Sequence, residues 1–103
     1  MQELSDRLQG GSVQALDVRR EGEWQGGHIN GANWYPLDRF KAALPEIAQQ
    51  TSVAIHCAGG YRSSIACSLL ERAGYTNVVN VIGGFDAWKK EQLPIATPAA
   101  VGA

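Results

Sequence analysis

Three short stretches of the chain are mostly apolar without strict alternation: residues 13–18 (Val-Gln-Ala-Leu-Asp-Val), 52–56 (Ser-Val-Ala-Ile-His) and 78–82 (Val-Val-Asn-Val-Ile). Runs of this kind predict strands covered on both faces, as in a parallel sheet. A further short strand is expected at residues 33–35, just before Pro36. Between the strands the pattern changes to the helical period. Residues 3–8 predict a short helix stopped by Gly10 and Gly11. Residues 21–25 read as a polar turn or short helix closed by Gly26 and Gly27, and Asn30-Gly31 is a turn signal. Leu37, Phe40, Leu44 and Ile47 keep helical spacing, but Pro45 predicts a break among them. Residues 63–72 form the strongest helix pattern, with Ile65, Ala66, Leu69, Leu70 and Ala73 along one side and Gly74 as its stop. Residues 85–91, carrying Trp88, predict a last short helix, and the Ala/Pro-rich residues 94–103 a loose C-terminal tail.

Strands alternating with helices predict an α/β fold, a mostly parallel central sheet of four to five strands flanked by helices on both faces. A chain of 103 residues makes one such domain, here residues 1–93 followed by the tail. A net charge of -1 gives no electrostatic case for nucleic acid or an anionic membrane surface as partner. No apolar stretch approaches the roughly 18 residues needed to span a bilayer. The first residues lack the basic-then-apolar layout of a signal peptide, and two cysteines ten positions apart make no disulfide framework. The expected setting is reducing and cytoplasmic, where a cysteine can work as a free thiol. Neither a Cys-x-x-Cys nor a His-x-x-x-His pair occurs, so no metal and no cofactor is expected.

The chemistry concentrates in residues 57–63, Cys-Ala-Gly-Gly-Tyr-Arg-Ser. They follow a predicted strand and open a predicted helix, and ligands of parallel sheets bind beyond the carboxyl ends of the strands. A cysteine there sits in an anion cradle. Loop N–H groups can converge on its sulfur, the helix N-terminus adds partial positive charge and Arg62 adds a full one. All three favour the thiolate, which is the reactive form. Gly59 and Gly60 give the loop backbone access to positive φ and close approach to the sulfur. Tyr61 is expected at the entrance. His56, one residue before Cys57 on a strand, should point to the opposite face and be structural. Cys67 reads as helix packing, His28 as turn-stabilising, and Trp24, Trp34 and Trp88 as core or rim aromatics.

Leu16-Asp17-Val18-Arg19, Glu23-Trp24 with Gly27-His28-Ile29-Asn30-Gly31-Ala32, the loop 57–63, and Gly83-Gly84-Phe85-Asp86-Ala87-Trp88 follow one another in the order and spacing of a known family. On these stretches the chain resembles the rhodanese-like (sulfurtransferase) domain family over nearly its whole length. The resemblance implies that Cys57 accepts a sulfane sulfur as a persulfide and that Ala58, Gly59, Gly60, Tyr61, Arg62 and Ser63 form the substrate-binding loop. It implies a small-molecule donor, thiosulfate or a thiol persulfide, and a thiol or cyanide acceptor. The family's early aspartate and arginine fall on Asp17 and Arg19, which either lie near the site or tie the sheet edge together, the structural role being expected. Many members begin with an extra strand, whereas Met1 falls almost at the first helix, as in a trimmed chain or a domain cut from a longer protein. The loop is also similar to that of rhodanese domains fused behind metallo-β-lactamase-fold persulfide-oxidising enzymes. The alternative functions are therefore a non-turnover binding or regulatory module, or sulfur relay to a fused or partner domain. Phosphatases of the same fold place five residues between cysteine and arginine. Here four separate Cys57 from Arg62, a ring fitted to a sulfur atom rather than a phosphoryl group.

Overall fold

The computed structural model describes residues 2–97. Four strands, β1 (Gln14–Asp17), β3 (Asn33–Trp34), β4 (Val53–His56) and β5 (Val78–Asn80), form a sheet in the order β3-β1-β4-β5. Every pairing in it is parallel, with Asp17 level with His56 and Ile55 level with Asn80. The helices are α1 (Gln2–Gly10), α2 (Glu21–Gln25), α3 (Tyr61–Arg72) and α4 (Gly84–Lys90). A 3-10 helix spans Leu37–Lys41 and ends short of Pro45, where the missing N–H forbids continuation.

Alternation along the strands divides the core. Leu16, Val18, Val53, Ile55 and Cys57 pack with Phe40 and with Ala66, Cys67 and Leu70 of α3. On the other side, Ile29 (β2, His28–Ile29), Phe85 and Trp88 pack with Leu4 and Leu8 of α1. Asp17 and His56 point away from the α3 face, as period-two strands require.

Three sequence expectations are corrected. Residues 94–97 are not loose: Ile95–Ala96 forms β6, paired antiparallel with β2, and the carbonyl of Pro94 accepts hydrogen bonds from Trp88 Nε1 at 2.8 Å and the N–H of Asn30 at 3.1 Å. The rest of the expected tail, 98–103, lies outside the described residues. Helix α3 starts two residues early, and its buried positions are Ser63, Ala66, Cys67 and Leu70 rather than a side containing Ile65, which is 38% exposed. The helix is turned so that Ser63 faces the loop sulfur, and that rotation carries Ile65 outward. Of the two loop glycines, only Gly60 (φ 117°) uses the left-handed region.

Candidate active site

The residues after β4 turn at once into α3, and Cys57 sits at the bend with 1% of its surface exposed. Its sulfur accepts a hydrogen bond from the N–H of Gly60 at 3.0 Å, and the Ser63 hydroxyl lies 3.5 Å away. Gly60 reaches this position at a φ that an L side chain rarely adopts. Burial alone would push the thiol up. The Ser63 hydroxyl and the N–H groups of Ser63, Gly60 and Arg62 outweigh it and bring the thiol below its ordinary value.

The loop is held open from behind by α4. The N–H groups of Phe85 and Asp86 donate to the carbonyls of Cys57 (2.8 Å) and Ala58 (3.1 Å). Those carbonyls therefore point away from the sulfur, and the loop N–H groups are left to face it. Gly84 makes the approach possible: a Cβ there would collide with the carbonyl oxygens of both Cys57 and Ala58. The Gly83-Gly84 pair is thus part of the cradle's support.

Ser63 is fully buried, and its hydroxyl has one proton to donate among three acceptors: Asn80 Oδ1 at 2.5 Å, the Gly60 carbonyl at 3.1 Å and the Cys57 sulfur at 3.5 Å. Asn80 Nδ2 also donates to that carbonyl, at 3.4 Å. Asn80 comes from β5, and nothing in its local sequence marks it for this role. Tyr61 lies at the loop's outer edge, 79% exposed.

Arg62 does not stand free. Its guanidinium makes a two-pronged pair with Glu23 of α2, at 2.6 and 2.9 Å. Glu23 also accepts the N–H of Arg20 at 3.0 Å, which fixes the start of α2. The Arg62 donors hold the Glu23 carboxyl down at about 2 against the effect of burial, with help from the Arg20 N–H. The pair and Arg20 line a shallow surface depression of about 590 Å³ together with Gly22. The separation of 39 residues between Glu23 and Arg62 hid this pairing from local motif reading.

Asp17 and Arg19 are brought together, away from the sulfur. Arg19 Nη2 donates to Asp17 at 2.8 Å and to the Gly27 carbonyl at 2.8 Å, and its guanidinium lies 4.3 Å from the centre of the Phe85 ring. Among the described residues their hydrogen bonds do not reach the loop 57–63. Burial would raise the Asp17 carboxyl, but His56 and Arg19 together hold it at about 2. His56 Nε2 lies 3.3 Å from the same carboxylate, on the face opposite Cys57. His28 stacks on Trp24 with ring centres 3.4 Å apart, and Trp88 is 1% exposed in the core rather than at an entrance. Cys67, packed among apolar side chains, has its thiol pushed up to about 11 by burial and by Glu71, which disfavours its reactive thiolate form.

A family model described as "Rhodanese-like domain" matches residues 1–91. A protein of Allochromatium vinosum named sulfurtransferase is 36% identical over 86 residues, which are 84% of this chain and 80% of that protein. The uncharacterized protein YqhL of Bacillus subtilis is 39% identical over 76 residues, 74% of this chain and 60% of the relative. The probable adenylyltransferase/sulfurtransferase MoeZ of Mycobacterium tuberculosis is 35% identical over 89% of this chain, but the chain spans only 24% of it. Among solved structures, a rhodanese-like domain protein from Staphylococcus aureus superposes with a TM-score of 0.76 at 36% identity, covering 84% of this chain and 85% of its own. The human single-domain sulfurtransferase TSTD1 gives 0.82 at 25% identity, covering 88% and 93%.

Proposed function

The chain belongs to the rhodanese-like domain family, and from that premise we propose that it carries sulfane sulfur as a persulfide on Cys57 and hands it to a nucleophilic acceptor. The observation that supports this most is the Gly60 N–H placed 3.0 Å from the Cys57 sulfur, within a loop whose carbonyls α4 has turned away. A thiolate is stabilised there without a general base, so no neighbouring histidine is needed.

The reaction is two displacements at sulfur. The Cys57 thiolate attacks the outer sulfur of the donor. A new S–S bond forms, the donor's S–S bond breaks, and the leaving group takes the bonding pair as sulfite or as a thiolate. The acceptor, a thiolate or cyanide, then attacks the terminal sulfur of the persulfide and Cys57 departs as thiolate again. Net oxidation is nil, since one S–S bond is exchanged for another or for an S–C bond. Loop N–H groups stabilise the anionic sulfur before and after each step.

Incubation of the folded protein with thiosulfate or glutathione persulfide is expected to add about 32 Da to the peptide containing Cys57, the mass of the one sulfur atom held on an activated thiol. Cys57→Ser should abolish both the adduct and turnover. Absence of the adduct with both donors would refute the reading. A second reading, relay of sulfur to a fused or partner domain, draws support from the 24% share of MoeZ that the chain spans. It predicts the same adduct with slow release to cyanide and faster release to a protein thiol.

A further inference from the structure

The cation that the loop offers to a donor is already engaged. Both terminal nitrogens of Arg62 are on the two Glu23 oxygens, the guanidinium also faces Cys57, and the partly exposed pair lines the depression with Arg20 and Gly22. Two-pronged guanidinium–carboxylate pairing uses the very geometry with which arginine would grip a sulfonate or sulfate group. Glu23 is held in place from its other side as well, by the N–H of Arg20, so swinging it away costs the start of α2 one of its hydrogen bonds. The thiolate, Arg62 and Glu23 together leave one net negative charge around the sulfur. Arg20, at the outer rim, is the other cation lining the depression.

We propose that Glu23 is a specificity-determining residue which, by neutralising Arg62, sets this site against dianionic donors and toward persulfides of thiols. The inference rests on the sulfurtransferase reading given above and names its substrate class. Thiosulfate must bring two negative charges to a loop cation already shared between Glu23 and Cys57, or displace Glu23 to pair with Arg62. The protonated persulfide of a thiol presents an outer sulfur without charge. Its attack by Cys57 needs no second cation, and the departing sulfur carries a single charge against the two of sulfite. Glu23 is ionised over the whole working range, because its carboxyl is held at about 2.

The test compares donors in wild type, Glu23→Gln and Glu21→Gln. Glutamine at 23 still accepts the Arg20 N–H and still reaches Arg62, but carries no charge. Glu21 is an exposed carboxylate on the same turn without an Arg62 contact, and serves as the control for net charge. In each protein kcat/KM is measured with thiosulfate and with the persulfide of an uncharged thiol, 2-mercaptoethanol. Wild type should favour the persulfide. Glu23→Gln should raise the thiosulfate-to-persulfide ratio by about tenfold, chiefly through a lower KM for thiosulfate, as expected when one charge is removed beside a partly exposed site. Glu21→Gln should change the ratio by less than about twofold, its charge being solvated. An unchanged ratio in Glu23→Gln, or an equal shift in both variants, would overturn the inference while leaving persulfide formation on Cys57 intact. Failure of both donors to load Cys57 in wild type would instead remove the sulfurtransferase reading, and this inference with it.

Discussion

At the scale of single residues, the two cysteines show how little of their chemistry is intrinsic. Both are free and buried. One faces the Gly60 N–H and the Ser63 hydroxyl and is shifted toward thiolate; the other faces hydrocarbon and Glu71 and is driven to about 11. Their surroundings were legible in the chain because position decides them: Cys57 precedes a glycine-bearing loop at a strand end, while Cys67 lies well inside a helix. Gly60 and Ser63 were legible for the same reason, since their contacts with Cys57 span at most six residues. Glu23 and Asn80 were not, because their partners lie 39 and 17 residues away and only the sheet order brings them near. The charge of Arg62 beside Cys57 was legible in the loop, whereas its pairing with Glu23 was not. Gly59 was over-interpreted: it has no positive φ, and a Cβ there would meet nothing within 4 Å.

At the scale of elements, strand positions followed from apolar runs and helix stops from glycines. The phase of α3 did not follow, because it is set by a polar contact. Ser63 turns inward to the sulfur, and hydrophobicity alone would have turned Ile65 inward. The pairing of β6 with β2 was hidden too, as a two-residue strand has no period to read. The dependence of the loop on α4 makes a specific prediction. Gly84→Ala places a Cβ against two loop carbonyls at a φ of 51°. It should cost about 2–4 kcal/mol of stability and slow sulfur loading, whereas Gly59→Ala should stay within about 0.5 kcal/mol. Urea unfolding and the rate of adduct formation check both. Equal tolerance of the two substitutions would show that α4 does not shape the loop.

At the scale of the whole molecule, a buried Asp17–Arg19 pair joins β1 to the turn before β2 and stacks on α4 through Phe85. The pair thereby ties the sheet to the helix that supports the cradle. The folded Asp17 carboxyl titrates at about 2, below its ordinary 3.8. Its stabilisation, about 2 kcal/mol, is therefore complete above about pH 4 and disappears as pH falls through about 2. Urea midpoints should drop across that window in wild type, and Asp17→Asn, less stable at neutral pH, should lack this component of the drop. A parallel fall in the variant would assign acid lability to other groups.

The central claim is that the loop makes Cys57 a thiolate. It is tested most directly by the pH dependence of alkylation, followed by mass on the peptides of Cys57 and Cys67 separately in the folded protein. Modification of Cys57 should be half-maximal below the free-thiol value of about 8.5, with Cys67 untouched until the chain unfolds. A midpoint at or above that value would contradict the account.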